Sequence, residues 1–346
     1  MEWDGPDIPP RATLADVARQ AGVSLATADR ALNGRAGVRA ITRARIDAAV
    51  ARLGYRAHPA AALLARNHSL RFVFLLPANA NSFMASLEAG VRDAAPALAP
   101  QAFIDIRLVD VFDPVALAVV LETLPAQYDA VALVALDHPR VRAAIDALAA
   151  RGTQVVTLVS DAPTSRRFHY VGIDNPAAGR TAGSLMGRFL GGRAGQIGII
   201  AGSLALRDHA ERHFGFNQVL AGEYRPLCVL PVREGLDDPA QNYAHAMALL
   251  TAHPDLVGLY NVGAGNEGIA RALAESGRSL VWIAHELSAE TRRLLLCDIV
   301  AAVIDQNAGH EARSAARVML ARCTGAPINP DQELIRIEIY LRDNLP

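Results

Sequence analysis

The chain is 346 residues long, 51% hydrophobic and only 5% aromatic, with a formal net charge of -1. That length calls for two or three domains, packed through aliphatic side chains and alanine. No apolar run reaches the roughly 18 residues that would span a bilayer, and the acidic start MEWDGPDIPP lacks the pattern of a signal peptide, so a cytoplasmic protein with no membrane partner is expected.

The near-neutral total hides an asymmetry. Residues 1–10 carry three acids and no base, residues 11–66 carry ten arginines against Asp16, Asp29 and Asp47, and the remainder is acidic. A basic head on an acidic body points to a polyanion partner for the head alone. The three cysteines, Cys228, Cys297 and Cys323, are far apart with no CxxC, which reads as buried thiols and neither a disulfide frame nor a metal site.

Three helices are predicted in the head. Thr13 and Asp16 have capping-box spacing before a first helix whose Leu14, Val17 and Ala18 share a face. Gly22 supplies a positive φ for the turn. Ser24 can cap a second helix that turns Ala28, Ala31 and Leu32 inward and stops at Asn33 and Gly34. A third helix over residues 42–53 places Ile46, Ala49, Val50 and Leu53 inward and closes on Gly54. Two short helices about a glycine turn, braced by a third, form a helix-turn-helix. Arg30, Arg35, Arg39, Arg43 and Arg45 surround the second helix.

The stretch ATLADVARQAGVSLATADRALNG, followed by TRARIDAAVARLGYRAHPAAALLAR, closely resembles the DNA-binding head of the LacI/GalR family of bacterial repressors. The resemblance implies a second helix in the major groove, with Leu25, Ala26 and Arg30 reading bases and Ser24 and Thr27 touching phosphates. It extends the DNA-facing set to Thr13, Asn33, Arg39 and Tyr55. An arginine there can grip guanine with two hydrogen bonds, while leucine and alanine can only touch methyls or bare edges. Asp29 departs from the family's usual serine; a carboxylate facing phosphate is repelled unless it pairs with an arginine or accepts from a cytosine amino group. Residues 59–68 resemble the family's hinge helix, with Ala61 and Leu64 at the operator centre and Leu64 as a wedge in the minor groove. The resemblance implies a homodimer on a palindromic double-stranded operator.

From residue 70 onward, strand-like runs (RFVFLLP, IDIRLVD, AVALVAL, QVVTLVS, HYVGID, QIGIIAG, LVGLYN, LVWIAH, IVAAVID) alternate with helical segments. This order implies parallel sheets covered on both faces, and about ten units exceed one compact sheet, so two α/β subdomains are expected. The fold class is α/β: an all-α helix-turn-helix head (11–58), a hinge (59–68) and a bilobed body (70–346). One lobe takes about 70–172 plus 304–328, the other about 173–303 plus 329–346. The closing ELIRIEIYLRDNLP reads as a last strand, not a leucine-heptad tail.

Ligands of open α/β sheets bind where strands end and helices begin. The polar residues at those ends include Asn79, Asn81, Ser82, Ser160, Asp161, Asn261 and Asn266, a set suited to a polyhydroxylated ligand. The body resembles the periplasmic-binding-protein-like effector domain of the same repressors, carried by GSLALRDHAERHFGF and VIDQN. That likeness makes Phe83, Asp137, Asp208, Arg212, Glu286 and Gln306 candidates for an effector site, with a sugar or polyol as ligand. His285 and Glu286 stand where the family has an aspartate, and Ala210 aligns with an arginine seen in several members.

GAGNEG at 263–268 is a literal GxGxxG after a strand, with Glu286 some 20 residues on. An NAD-dependent oxidoreductase is therefore one alternative; a regulator answering to a purine-type co-repressor and a DNA-architectural protein are others. No GxSxG elbow or HExxH occurs, so no enzyme, cofactor or metal is expected. His209 and His213, four apart, are expected on a solvated helix face.

Overall fold

The structure, a computed structural model, describes residues 12–32, 36–55, 69–78, 81–99 and 101–346. They divide into two units, one ending at residue 68 and one running from residue 69. Asn33, Asn79 and the hinge positions Ala61 and Leu64 lie outside the described residues.

The head consists of α1 (Leu14–Ala21), α2 (Leu25–Leu32) and α3 (Ala40–Leu53). Thr13 caps α1 through a reciprocal box: its hydroxyl accepts from the Asp16 amide, and the Asp16 carboxylate accepts from the Thr13 amide at 2.9 Å. Gly22 closes the helix at φ 61°. Val17, Ala21, Ala31, Ile46 and Ala49 make the core. Two expectations change here. Leu32 is exposed, because Ala28 and Ala31 already fill the inward face of so short a helix. Helix α3 begins at Ala40, not at residue 42, with Arg39 as its N-cap.

The body holds two sheets. The first is formed by β1 (Leu70–Pro77), β2 (Ala102–Val109), β3 (Ala130–Leu133), β4 (Gln154–Leu158) and β5 (His169–Val171), in the spatial order β2-β1-β3-β4-β5, all parallel. Its helices are α4 (Ser82–Leu98), α5 (Pro114–Glu122) and α6 (Pro139–Ala150). Near-unbroken burial along β1 follows from a strand covered on both faces. After β5 the chain crosses into α7 (Asn175–Leu190) and builds a second sheet from β6 (Gly195–Ala201), β7 (Leu227–Val229), β8 (Arg233–Glu234), β9 (Leu256–Asn261), β10 (Val281–His285) and β11 (Ala302–Asp305). Helices α8 (Arg207–Glu223), α9 (Pro239–Ala252), α10 (Asn266–Ser276) and α11 (Ala289–Leu296) connect them. The chain then returns to the first lobe as α12 (Ala308–Thr324), which packs on α4 and β4. It passes the short α13 (Pro330–Glu333) and ends on β12 (Glu338–Tyr340), antiparallel to β11. The second crossing follows Asp305, so residues 304 and 305 pair within the second sheet.

In each sheet the strand order reverses, between β1 and β3 and between β6 and β9. These switch points open a crevice at the carboxyl ends of the strands. Helices α7 and α8 cross very closely beside it. A Cβ on Gly179 would stand 2.0 Å from the Arg212 carbonyl oxygen, and one on Gly215 would stand 2.1 Å from that of Pro176. Only glycine permits this approach.

The cysteines are free, but Cys228 and Cys297 are exposed. Cys228 lies on an edge strand and Cys297 follows the last residue of α11, positions where one face meets solvent. Only Cys323 is partly covered, and burial pushes its thiol up to about 12. Among the described residues no helix is long and apolar enough to cross a membrane.

Candidate functional site

On the head, Ser24, Leu25, Ala26 and Arg30 form an exposed face of α2, with Thr27 and Asp29 at its edge. The Ser24 hydroxyl caps the helix by accepting from the Thr27 amide at 3.2 Å and lies 2.8 Å from the Thr27 hydroxyl. Leu25 is 52% exposed, unusual for leucine at the start of a helix that buries only alanines. Tyr55 is half-buried; burial first and the Asp29 carboxylate second push its hydroxyl up. Arg45 belongs to the fold: its guanidinium donates to the Ala21 and Gly22 carbonyls at the turn.

In the body, a cavity of about 600 Å³ is lined from both lobes, within the range of small-molecule sites. Asn81, Phe83, Asp208, Arg212, Glu286 and Gln306 all line it. Each comes from a different carboxyl-end loop or helix start, except that Asn81 and Phe83 share the β1–α4 junction and Asp208 and Arg212 share one turn of α8. Backbone conformation singles out the same place. Of six described non-glycine residues at positive φ, four line the cavity: Val159, Leu236, Asp237 and Glu286. For a β-branched residue such as Val159 this is costly, and strain of this kind collects at functional sites.

Arg212 organises the floor. It is 2% exposed and donates to the Asn175 side-chain oxygen at 2.8 Å, the Val262 carbonyl at 3.2 Å and the Gln306 side-chain oxygen at 3.2 Å. Asn175 starts the helix after the first crossing and Gln306 sits in the second, so one guanidinium ties two of the three crossings to the cavity. Gln306 also donates to Glu286 at 2.7 Å. Burial first and Asp305 second hold the Glu286 carboxyl well above the usual carboxylate range, against the pull of Arg212 at 3.9 Å. Its second oxygen has no hydrogen-bond partner, and neither has one oxygen of Asp208.

Two contacts span the lobes at the rim. Asn81 caps α4 and donates to Asp237 at 3.2 Å, and Arg207 meets Asp137 at 3.3 Å. Asp137 thus faces a separate, shallower depression with Arg207 and Phe214. Three further candidates do not line the cavity. Asp161 is held by Arg167 at 2.7 Å and by the Thr157 hydroxyl at 2.5 Å. Asn261 is fully buried and donates to the Ala264 carbonyl and the Asn266 side chain. Ser160 is buried, its hydroxyl without a partner.

His209, expected on a solvated face, is buried and lines the cavity, accepting from the Ser203 amide at 3.2 Å. His213 is half-buried and lies 2.7 Å from the Asn217 amide. Among the described residues no cluster of three metal-ligating side chains occurs. His285 turns into the core, 2.8 Å from the Tyr260 hydroxyl, and burial keeps its imidazole neutral.

The glycines of GAGNEG serve packing. A Cβ on Gly263 would stand 2.3 Å from an Asp237 carboxylate oxygen, and one on Gly268 would stand 1.9 Å from the Pro239 carbonyl. The same Asp237 oxygen accepts from the Ala264 amide at 2.8 Å. A carboxylate occupies the position that a pyrophosphate needs, which disfavours the dinucleotide reading.

Sequence reasoning missed Asp237, Asp238, Glu267 and Glu290 on the wall. The Asp-Asp-Pro at 237–239 is a helix-start signal that could have flagged the β8–α9 loop, but the two-residue β8 offers no apolar run to precede it.

Residues 72–327 match the family described as "Periplasmic binding protein domain", and residues 13–58 match "Bacterial regulatory proteins, lacI family". The chain is 39% identical over 83 residues to catabolite control protein A of Priestia megaterium and 37% identical over 83 residues to that of Streptococcus mutans. In both cases the match covers 24% of this chain and 25% of the relative. Similar solved structures include a solute-binding protein from Burkholderia graminis in complex with D-arabinose (TM-score 0.73, 24% identity, 80% of this chain and 96% of that one). Another is GanP, a glucose-galactose binding protein from Geobacillus stearothermophilus (TM-score 0.72, 23% identity, 81% and 99%).

Proposed function

The chain belongs to the lacI family of bacterial regulatory proteins, with a periplasmic binding protein domain as its body, and from this we propose that it is a transcriptional repressor. In this reading the head binds operator DNA, and a sugar or polyol held between the two lobes sets its affinity. The observation that carries the proposal is the cavity itself, walled by both lobes and floored by an arginine bonded at two of the three crossings between them. A ligand there is felt wherever the lobes move. An effector changes DNA affinity only through unequal affinity for the two closure states; a coupling of about 1–3 kcal/mol gives a shift of roughly 5- to 150-fold.

On DNA, α2 lies in the major groove. Arg30 takes a guanine edge, Leu25 and Ala26 pack on base edges, and Thr13, Ser24 and Thr27 hold phosphates. Asn33, Arg39 and Tyr55 complete the contact, while Ala61 and Leu64 act at the operator centre. An inverted repeat requires a homodimer. The edge of the first sheet suits that role, since Phe103 and Leu108 on β2 and Val115 and Val119 on α5 are exposed. Such a regulator works in the cytoplasm and performs no catalysis. A sugar is supported by relatives of the same fold, one holding D-arabinose and one named for glucose and galactose.

The test is fluorescence anisotropy of the full-length protein on inverted repeats of about 14–20 base pairs from upstream of its own gene, with and without monosaccharides. Nanomolar binding that a sugar weakens at least five-fold supports the reading. Equal, weak binding to every duplex, unmoved by any metabolite, refutes it.

A further inference from the structure

The cavity wall is strongly acidic. Asp208, Asp237, Asp238, Glu267, Glu286 and Glu290 line it, and among the described residues Arg212 is its sole guanidinium. Three of the Arg212 N–H groups point into the protein frame, at Asn175, Val262 and Gln306. Helix N-termini facing a cleft ordinarily attract anions. Here those of α8, α9, α10 and α11 already carry acids of their own: Asp208, Asp238, Glu267 and Glu290. A phosphate or carboxylate on the ligand would be repelled from each.

Two of the acids also have one oxygen without a donor. Asp208 is 3% exposed and Glu286 is 8% exposed, and each has a carboxylate oxygen without a hydrogen-bond partner. Buried carboxylate oxygens without donors are costly, and a ligand bringing N–H or O–H groups relieves that cost. Glu267 and Glu290 form a like-charged pair at adjacent helix starts, and one Glu290 oxygen is also without a partner. Hydroxyl groups would satisfy the hydrogen bonds and leave the charge of the ionised acids; an ammonium group does both. Its positive charge also favours release of the protons that burial keeps on Glu286 and, in part, on Glu290.

We propose that the effector carries a protonated amine beside its hydroxyls, an amino sugar or amino polyol, recognised by Asp208, Glu286 and the Glu267–Glu290 pair. This inference rests on the cavity being the effector site, and it narrows the ligand to a cationic class that excludes phosphorylated sugars.

Isothermal titration of the full-length protein with matched ligands tests it: D-glucosamine against D-glucose, D-galactosamine against D-galactose, 1-amino-1-deoxy-D-sorbitol against sorbitol, and D-glucose 6-phosphate as the anionic arm. At least one amine should bind ten-fold or more tightly than its hydroxyl partner, with the phosphate weakest. Glu290→Gln and, separately, Asp208→Asn should each reduce that ratio several-fold. Neutral ligands binding as well as their amines in every pair, or the phosphate binding best, overturns the inference and leaves the effector site in place. Silence in all three arms overturns the inference and counts against the effector site as well.

Discussion

Replacing Arg212 by methionine should cost much of the stability of the body. The guanidinium is almost wholly buried, and its loss leaves three acceptors, on Asn175, Val262 and Gln306, without donors. A buried acceptor left unpaired costs about 1–3 kcal/mol. Two of these three bonds are at the long end, 3.2 Å, and water can enter from the cavity, so the lower part of that range applies to them. Glu286 also loses the positive charge of Arg212 near its first oxygen, a smaller effect while its carboxyl stays protonated. The expected loss is about 3–5 kcal/mol, against a total domain stability of order 5–15 kcal/mol. Urea unfolding followed through Trp282, fully buried in the second lobe, measures it. A lysine at the same position keeps the charge but cannot reach three acceptors, so Arg212→Lys should recover less than half of the loss. A drop below about 1 kcal/mol for Arg212→Met would refute the idea that this side chain locks two of the crossings together.

Gly179→Ala should destabilise by about 1–3 kcal/mol in the same assay, because the new methyl collides with the Arg212 carbonyl and forces α7 from α8; a neutral result would mean the helices can separate freely. Arg30→Ala should weaken operator binding by about 1–3 kcal/mol and relax preference at one base pair, read by anisotropy on point-substituted duplexes; uniform weakening on all of them would reassign Arg30 to phosphate. Asp29→Ser should broaden the set of operators bound; tighter binding by an equal factor on every sequence would show that Asp29 does not discriminate. Glu290 gives a pH signature. Burial first, then Glu267, pushes its carboxyl up to about 7 from an ordinary 4.5. The folded protein therefore retains a proton that the unfolded chain has released, and stability falls as pH rises from about 4.5 to 7. The group is half-buried, so solvent screening holds the effect to about 1 kcal/mol or less. Glu290→Gln should flatten that part of the stability profile; an unchanged slope would place its origin elsewhere.

Local signals in the chain were enough to specify the head and the architecture of the body. Thr13 with Asp16, Gly22 and Gly54 are caps and stops whose effect is confined to one turn of helix, and the apolar strand runs alternate with helices whatever their neighbours. Parallel pairing and two lobes follow from that order, because a strand buried on both faces needs covering helices. Tertiary structure alone decided which strand-end residues share a cavity. Asp137, Asp161 and Asn261 resemble Asp208 and Gln306 in type and position, yet Arg142 and Arg207, Arg167, and the Ala264 carbonyl hold them elsewhere. His285 and Glu286 are adjacent in the chain, but the first ends β10 facing Tyr260 and the second turns through φ 66° into the cleft. Asp237 joins the cavity wall because packing brings the β8–α9 loop against Asn81 of the opposite lobe. Caps depend on residues three or four apart, whereas a cavity wall depends on where distant backbones stop, and that is settled by packing.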